Sequence, residues 1–382
     1  GPVFRVKRGD GAGTAVMACA VVLIVASQFV FPSPTQGSPE GLINIHDVSS
    51  IRGLPVQREL ETGYLDRDEV KDHVERMMLD EWDEYVISKQ MDGVLTGTIG
   101  LQGWSSYDAE DPEDTLEEDA AMYAAGVAAF YDPDAREMYI VGNSHSDQYI
   151  NWLLSHELTH ALQDQNFDLN AYAYAEGLDG DSARARLSAV EGDAKWTESR
   201  WTDENLDDGA MFWVDMEALM DVGAFLGNEY STGSFGSTAR APVPAGFHYT
   251  DGLVFRDEDL PFEYSWGKKF VTRVRDEGGL EAVDALFTTK PPLSTEQIMH
   301  YRKYLDYEEP LDVDFDDGPY GMELQWEMTM GEYGASLAIS TSEYDLEPAA
   351  GWGGDTFLYY EDYFDYLAVW VTEWDTVSDM ED

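Results

Sequence analysis

The chain has 382 residues, of which 43% are apolar and 13% aromatic, enough for a sizeable core and incompatible with a wholly disordered or collagen-like protein. Its 76 Asp and Glu face 23 Lys and Arg, a formal net charge of −53, and so acidic a surface repels the phosphate backbones of DNA and RNA. The single cysteine excludes an intramolecular disulfide.

The acidity is spread along the chain and not gathered in one tail. Self-repulsion on that scale destabilises a compact state in dilute buffer, whereas molar salt shortens the Debye length to about 3 Å. The composition therefore resembles that of haloarchaeal proteins and predicts adaptation to high salt.

Residues 1–14 carry Arg5, Lys7 and Arg8. Residues 15–31, AVMACAVVLIVASQFVF, form a nearly continuous apolar run closed by Pro32-Ser33-Pro34. At helical rise this run spans about 25 Å, the short end of a membrane crossing. The basic flank predicts a cytoplasmic 1–14 with the rest of the chain outside. The run reads as an uncleaved signal anchor, or as a signal peptide with Val25-Ala26-Ser27 as its cleavage site. Residues 32–64, rich in Pro, Gly and Ser, read as a tether, and 65–382 as one ectodomain.

From Asp66, Val70, Val74, Met77, Met78, Trp82 and Val86 fall on one helical stripe, with His73 on the solvated side. Residues 126–141 predict two short strands around the turn Asp132-Pro133-Asp134-Ala135. Helices are predicted over 147–165, over 182–201 with Ser182 as N-cap, and over 209–226. After a long Gly/Ser/Pro-rich loop at 227–247, helix returns over 261–305, broken at 289–293, where Ser294 and Gln297 have capping-box spacing. Further on, MELQWEMTM and ASLAIS read as strands, and Trp352, flanked by glycines, as a core indole. The fold class is α+β, helical in its middle and strand-rich at its C-terminal end.

Residues 156–160 read His-Glu-Leu-Thr-His. On a helix, positions i and i+4 share a face, so both imidazoles can reach one Zn2+ with Glu157 beside its water. Zinc needs a third protein ligand and an open fourth position. No histidine follows closely: position 163 is Gln and 166 is Asn. A carboxylate on the next helix is the next candidate, and Glu191, in AVEGDA at the margin of that helix's apolar face, fits best. Gly192 would let another backbone approach closely. Asp193 reads either as an acceptor orienting a ligand imidazole or as a helix-surface acid.

SHELTHALQDQNFDL followed by AVEGDA resembles the gluzincin type of zinc metallopeptidase, and more closely a group of haloarchaeal surface proteins and predicted metallopeptidases with HELTHALQDQ and EGDA in this order. The likeness takes in the hairpin, STEQIMH and AAGWGGD, covering roughly 65–377. The resemblance implies a zincin-like core, with His156, His160 and Glu191 as zinc ligands and Glu157 as general base and later acid. It also implies the strand near Met138–Val141 as an edge strand for an extended peptide. Where thermolysin-like enzymes carry an Asp four residues after the third ligand, this chain has Lys195. An oxyanion donor is sought among His248, Tyr249, His300 and Tyr304, with His300 preferred. The expected function is an exported, membrane-anchored zinc peptidase acting on protein or peptide substrates; the alternative is a non-catalytic surface binding or structural protein on the same scaffold. Substrate specificity and oligomeric state are not legible.

Overall fold

The computed structural model describes residues 41–80, 94–95, 116–117, 120–121, 124, 127–133, 135–142, 145–173, 178–215, 217, 262–315, 321–339, 349–362 and 366–381. The expectations for 1–40, for most of the acidic stretch 106–120, for 227–247, and for His248 and Tyr249 lie outside these residues. Among the described residues no helix is long and apolar enough to cross a membrane. The architecture is α+β, with two three-stranded sheets among the described strands and helices between them.

Helix α1 (Ile45–Arg52) falls inside the segment expected to be a tether. Asn44 caps it in a reciprocal box with Asp47, and Ile45, Val48 and Arg52 are buried. Its spacing was hidden because only two apolar residues mark its inner face and the third is an arginine. Strand β1 (Thr62–Leu65) leads into α2 (Arg67–Asp80), whose Val70 and Val74 are buried as the stripe predicts. His73 on α2 is not free in solvent: its Nε2 lies 3.2 Å from Asp132 Oδ2.

Strands β2 (Ala129–Asp132) and β3 (Glu137–Val141) form the expected hairpin, pairing Ala129 with Ile140 and Asp132 with Glu137. The turn is held by Asp132 Oδ1 accepting from Ala135 N at 2.8 Å. The sheet order is β1-β3-β2, with β1 parallel to β3. The strand at Met138–Val141 is therefore central and not an edge strand. The correction follows from β1, whose residues looked like linker but supply a backbone ladder to the outer side of β3. The free edge of the hairpin is β2.

Helix α3 (Asp147–Phe167) lies against this sheet, N-capped by Ser146 and closed by Asp168 in the left-handed region. Its Ile150, Leu154, Leu158 and Leu162 pack with Tyr131, Met138 and Ile140 of the hairpin and with Ile45 and Val48 of α1. A short helix, α4 (Leu169–Ala173), links it to α5 (Gly180–Asn205). Asp179 is the N-cap of α5, accepting from Ser182 N at 2.8 Å, so the cap lies three residues before the predicted Ser182. Helix is present through 208–215, the described part of the predicted 209–226.

Helix α6 (Phe262–Leu286, kinked at Gly279) packs along α5, and α7 (Thr295–Met299) and α8 (Tyr301–Asp306) close the helical core around Phe270, Val274, Leu286, Ile298 and Tyr304. Ser294 caps α7 as expected, accepting from Gln297 N, but Gln297 Oε1 accepts from Leu293 N and not from the cap.

The second sheet has the order β4 (Glu323–Met328), β5 (Trp352–Glu361), β6 (Tyr366–Trp374) and is fully antiparallel. Residues 335–340, expected as a strand, belong instead to helix α9 (Gly331–Ile339). The run is short and apolar, which suits either state. Ala335 and Ser336 are small enough to bury on a helix packed against β5. Helix α10 (Val377–Glu381) ends the described chain.

Asp355 of β5 ties this half together. Its carboxylate accepts from Met330 N, Gly331 N, Trp352 Nε1 and Trp370 Nε1 at 2.8–3.1 Å. Trp352 is wholly buried, as its sequence context predicts. Burial pushes the Asp355 carboxyl up to about 6, against the pull of its four donors. A carboxyl raised above its unfolded value of about 3.9 contributes stability that is present below pH 4 and is lost as pH climbs through 6. Two outcomes are expected from denaturant unfolding in molar salt. Asp355→Ala, which orphans four buried donors, loses at least about 3 kcal/mol. The stability of wild type relative to Asp355→Asn falls by on the order of 2 kcal/mol from about pH 4 to about pH 6.5.

Candidate metal centre

The His-Glu-Leu-Thr-His segment occupies the middle of α3, where the helix is buried on nearly all sides. His156 and His160 stand one turn apart and face α5. There Glu191 sits opposite them, because Gln163 on α3 holds the two helices in register by donating to Val190 O at 3.0 Å. His156 Nε2 and His160 Nε2 are 3.0 Å apart, and Glu191 Oε2 lies 3.2 Å and 3.5 Å from them. Zinc bonds of about 2.0–2.1 Å imply donor separations of about 3.3–3.4 Å along a tetrahedron's edges. The three atoms therefore fit one face of a zinc tetrahedron. The side chains of His160 and Glu191 are 13% and 15% exposed, so the centre is reachable from solvent.

The far side of each ring supports the same assignment. His160 Nδ1 is 2.9 Å from Gln163 Oε1, and His156 Nδ1 is 3.3 Å from Glu198 Oε2. An oxygen acceptor facing Nδ1 keeps the proton there and leaves the Nε2 lone pair toward the centre. Glu198 is in turn held by Lys195 Nζ at 2.6 Å, and Lys195 lies over the Trp152 ring. Lys195 thus marks no gap in the site: the acid that thermolysin-like sequences carry four residues after the third ligand is here Glu198, one turn later.

The electrostatics favour a cation. Burial by itself would raise Glu191, but the charges of His160 and His156 outweigh it and hold the carboxyl well below the usual range. Burial likewise pulls His156 and His160 down, and the surrounding carboxylates more than reverse that. Glu157 differs: burial dominates and raises it. Its Oε2 accepts from Tyr131 N of β2 at 3.2 Å, so the free edge of the hairpin passes directly beside this carboxylate.

Helix α6 closes the remaining side. A Cβ on Gly192 would stand 2.2 Å from Gly267 O, and one on Gly267 would stand 2.2 Å from Ser188 O. The two helices touch backbone to backbone, as the glycine beside Glu191 predicts. One turn before Gly267, this contact delivers Tyr264, whose ring stacks on His156 with centroids 5.9 Å apart and 19° between planes. Its hydroxyl bonds to Glu191, and burial raises it well above its ordinary range, so it remains a neutral donor.

Of the residues singled out in the sequence, the structure brings together His156, Glu157, His160 and Glu191. Asp193 is buried beside them but does not touch an imidazole: it accepts from Gln163 Nε2 at 2.9 Å, and Gln163 makes the contact with His160. His300 is elsewhere. It stands at the α7–α8 junction with Nε2 2.7 Å from Glu332 Oε1, and its place facing the ligands is taken by Tyr264. The near-helical spacing from Ser294 suggested a presented side chain, but α7 turns that end toward α9. Tyr304 is buried in the helical core. Gln163 and Glu198 were findable, being one turn after His160 and two turns after Glu191. Tyr264 had no local signal.

Gly192→Ala must push α5 and α6 apart, since the clash is with backbone and cannot be relieved by a rotamer. It is expected to lose about 1–3 kcal/mol or more in denaturant unfolding and to weaken the near-ultraviolet circular dichroism signal of the tyrosines.

A family model described as Domain of unknown function (DUF8575) matches residues 322–382, the segment from β4 to α10, which does not include the His156–His160–Glu191 centre. No curated protein and no solved structure matches the chain.

Proposed function

We propose that the chain is a zinc-dependent, gluzincin-like metallopeptidase. It is exported, anchored at the cell surface by residues 15–31, and hydrolyses peptide bonds at high salt. The observation that carries this reading is the convergence of His156 Nε2, His160 Nε2 and Glu191 Oε2 at 3.0–3.5 Å, with the buried Glu157 alongside. The zincin-like order of parts supports it: a hairpin, a helix with two histidines, and a following helix with the third ligand. The net charge of −53 supports the salt adaptation.

Zinc held by these three residues supplies a Lewis acid for the peptide carbonyl and a water acidified toward neutrality. Glu157 accepts the proton of the attacking water and returns it to the leaving amine. Its raised pKa suits that two-way traffic, because an acid–base group works best when its pKa lies near the operating pH. Tyr264 offers a neutral O–H to the oxygen on which negative charge develops. An extended peptide pairing with the outer edge of β2 would run past Glu157, since Tyr131 N on that strand already reaches its carboxylate.

Elemental mass spectrometry of the chain purified in molar salt is expected to find about one zinc per molecule, lost in His156→Ala. No zinc after reconstitution would sink the proposal. With a peptide library as substrate, Glu157→Gln is expected to keep the metal and lower kcat at least about a hundredfold.

A further inference from the structure

The buried polar groups behind the metal ligands form one connected chain that begins outside α3 and α5. Arg52, the last residue of α1, is wholly buried. Its Nε lies 2.7 Å from Asp193 Oδ2 on α5, and its Nη2 lies 2.8 Å from Asp284 Oδ1 on α6. Asp193 Oδ2 also accepts from Gln163 Nε2 at 2.9 Å, and Gln163 Oε1 is 2.9 Å from His160 Nδ1. Asp193 and Gln163 are both fully buried, so no water competes for these groups.

The order of the links decides what each can do. A primary amide has two N–H donors on one side and an acceptor on the other. Both Gln163 donors are engaged, one by Val190 O and one by Asp193. The amide is thereby locked in one of its two orientations, with Oε1 toward His160. An acceptor at that position requires the proton on Nδ1 and leaves the Nε2 lone pair facing Glu191 and His156. The carboxylate of Asp193 does this only if it stays ionised and aimed at the amide, and the Arg52 guanidinium holds it so.

We propose that Arg52 and Asp193 are positioning residues for the metal centre: acting through the orientation of the Gln163 amide, they select the tautomer of His160 that can bind metal. The inference rests on the zinc reading above. It makes α1, a helix far from the ligands in sequence, part of the metal-binding unit. Outer partners of metal-bound histidines typically govern about ten- to a hundredfold in affinity.

The test is a double-mutant cycle read as zinc affinity, measured on the full chain in molar salt by competition with a chromogenic chelator. Asp193→Asn, whose side-chain amide can turn its own donors toward Gln163, is expected to weaken zinc about tenfold or more. Gln163→Met, which fills the same space with no acceptor, should do the same. In the Gln163→Met background the Asp193→Asn change should then have no further effect, because the link it acts through is gone. The visible spectrum of the cobalt-loaded protein should shift in the same way in both single variants. Arg52→Lys, which keeps the charge but not the two-pronged geometry, should recover part of the affinity lost in Arg52→Gln.

Additive losses in the cycle would overturn the proposal, since a role through general stability would not vanish with Gln163. Unchanged zinc affinity in folded Asp193→Asn would overturn it as well. Should Arg52→Gln fail to fold, the Asp193–Gln163 cycle still decides. A wild-type chain that binds no zinc would mean failure of the parent reading, whereas a wild type that binds zinc while the variants bind equally well would leave that reading standing and remove this inference alone.

Discussion

The structure is organised around charges held out of water between α3 and α5. Glu157, Asp193, Lys195 and Glu198 are all buried there with His156, and Arg52 is buried behind them. An isolated ion in such surroundings is penalised by several kcal/mol, so each must be met by a partner at hydrogen-bond distance. The pairs found are specific: Arg52 with Asp193, Lys195 with Glu198, Gln163 with both Asp193 and His160. These contacts restrict how α1, α3, α5 and α6 can sit relative to one another far more narrowly than apolar packing does. A slide of one turn between α3 and α5 would leave several buried charges unpaired at once.

Packing then supplies the closeness the charges need. The Gly192–Gly267 contact lets α6 approach α5 at backbone distance and brings Tyr264 onto His156. The hairpin lies against the other side of α3 through Tyr131, Met138 and Ile140, and its edge delivers Tyr131 N to Glu157. The second sheet uses a similar device at a distance, with Asp355 gathering four N–H donors from two strands and a helix start. The Domain of unknown function match falls on that second unit, so the proposed catalytic reading stands on the geometry of the first.

Much of this was legible from residue order because the signals are local. The stripe Val70–Val74, the hairpin turn at Asp132–Ala135 and the Ser294 cap each depend on neighbours within a few positions, and each appears where expected. Where local signals were ambiguous, the reading went astray. The run at 335–340 fits a strand or a helix, and only its packing on β5 selects the helix. Strand β3 looked like an edge because nothing in Thr62–Leu65 marks it as a strand until β3 offers it a ladder. Helix α1 was missed for a related reason: its innermost residue is Arg52, and an arginine reads as surface until Asp193 and Asp284 are seen around it.

The sequence by itself determined the HExxH face, the carboxylate of Glu191 on the next helix, and the small residue beside it, because helical periodicity places side chains from spacing alone. Tertiary structure decided which groups complete the site. It replaced His300 by Tyr264, put Glu198 behind His156, and routed Asp193 to His160 through Gln163. Those choices depend on contacts between helices many residues apart, and in a chain where acids are everywhere, spacing cannot tell a buried partner from a solvated one.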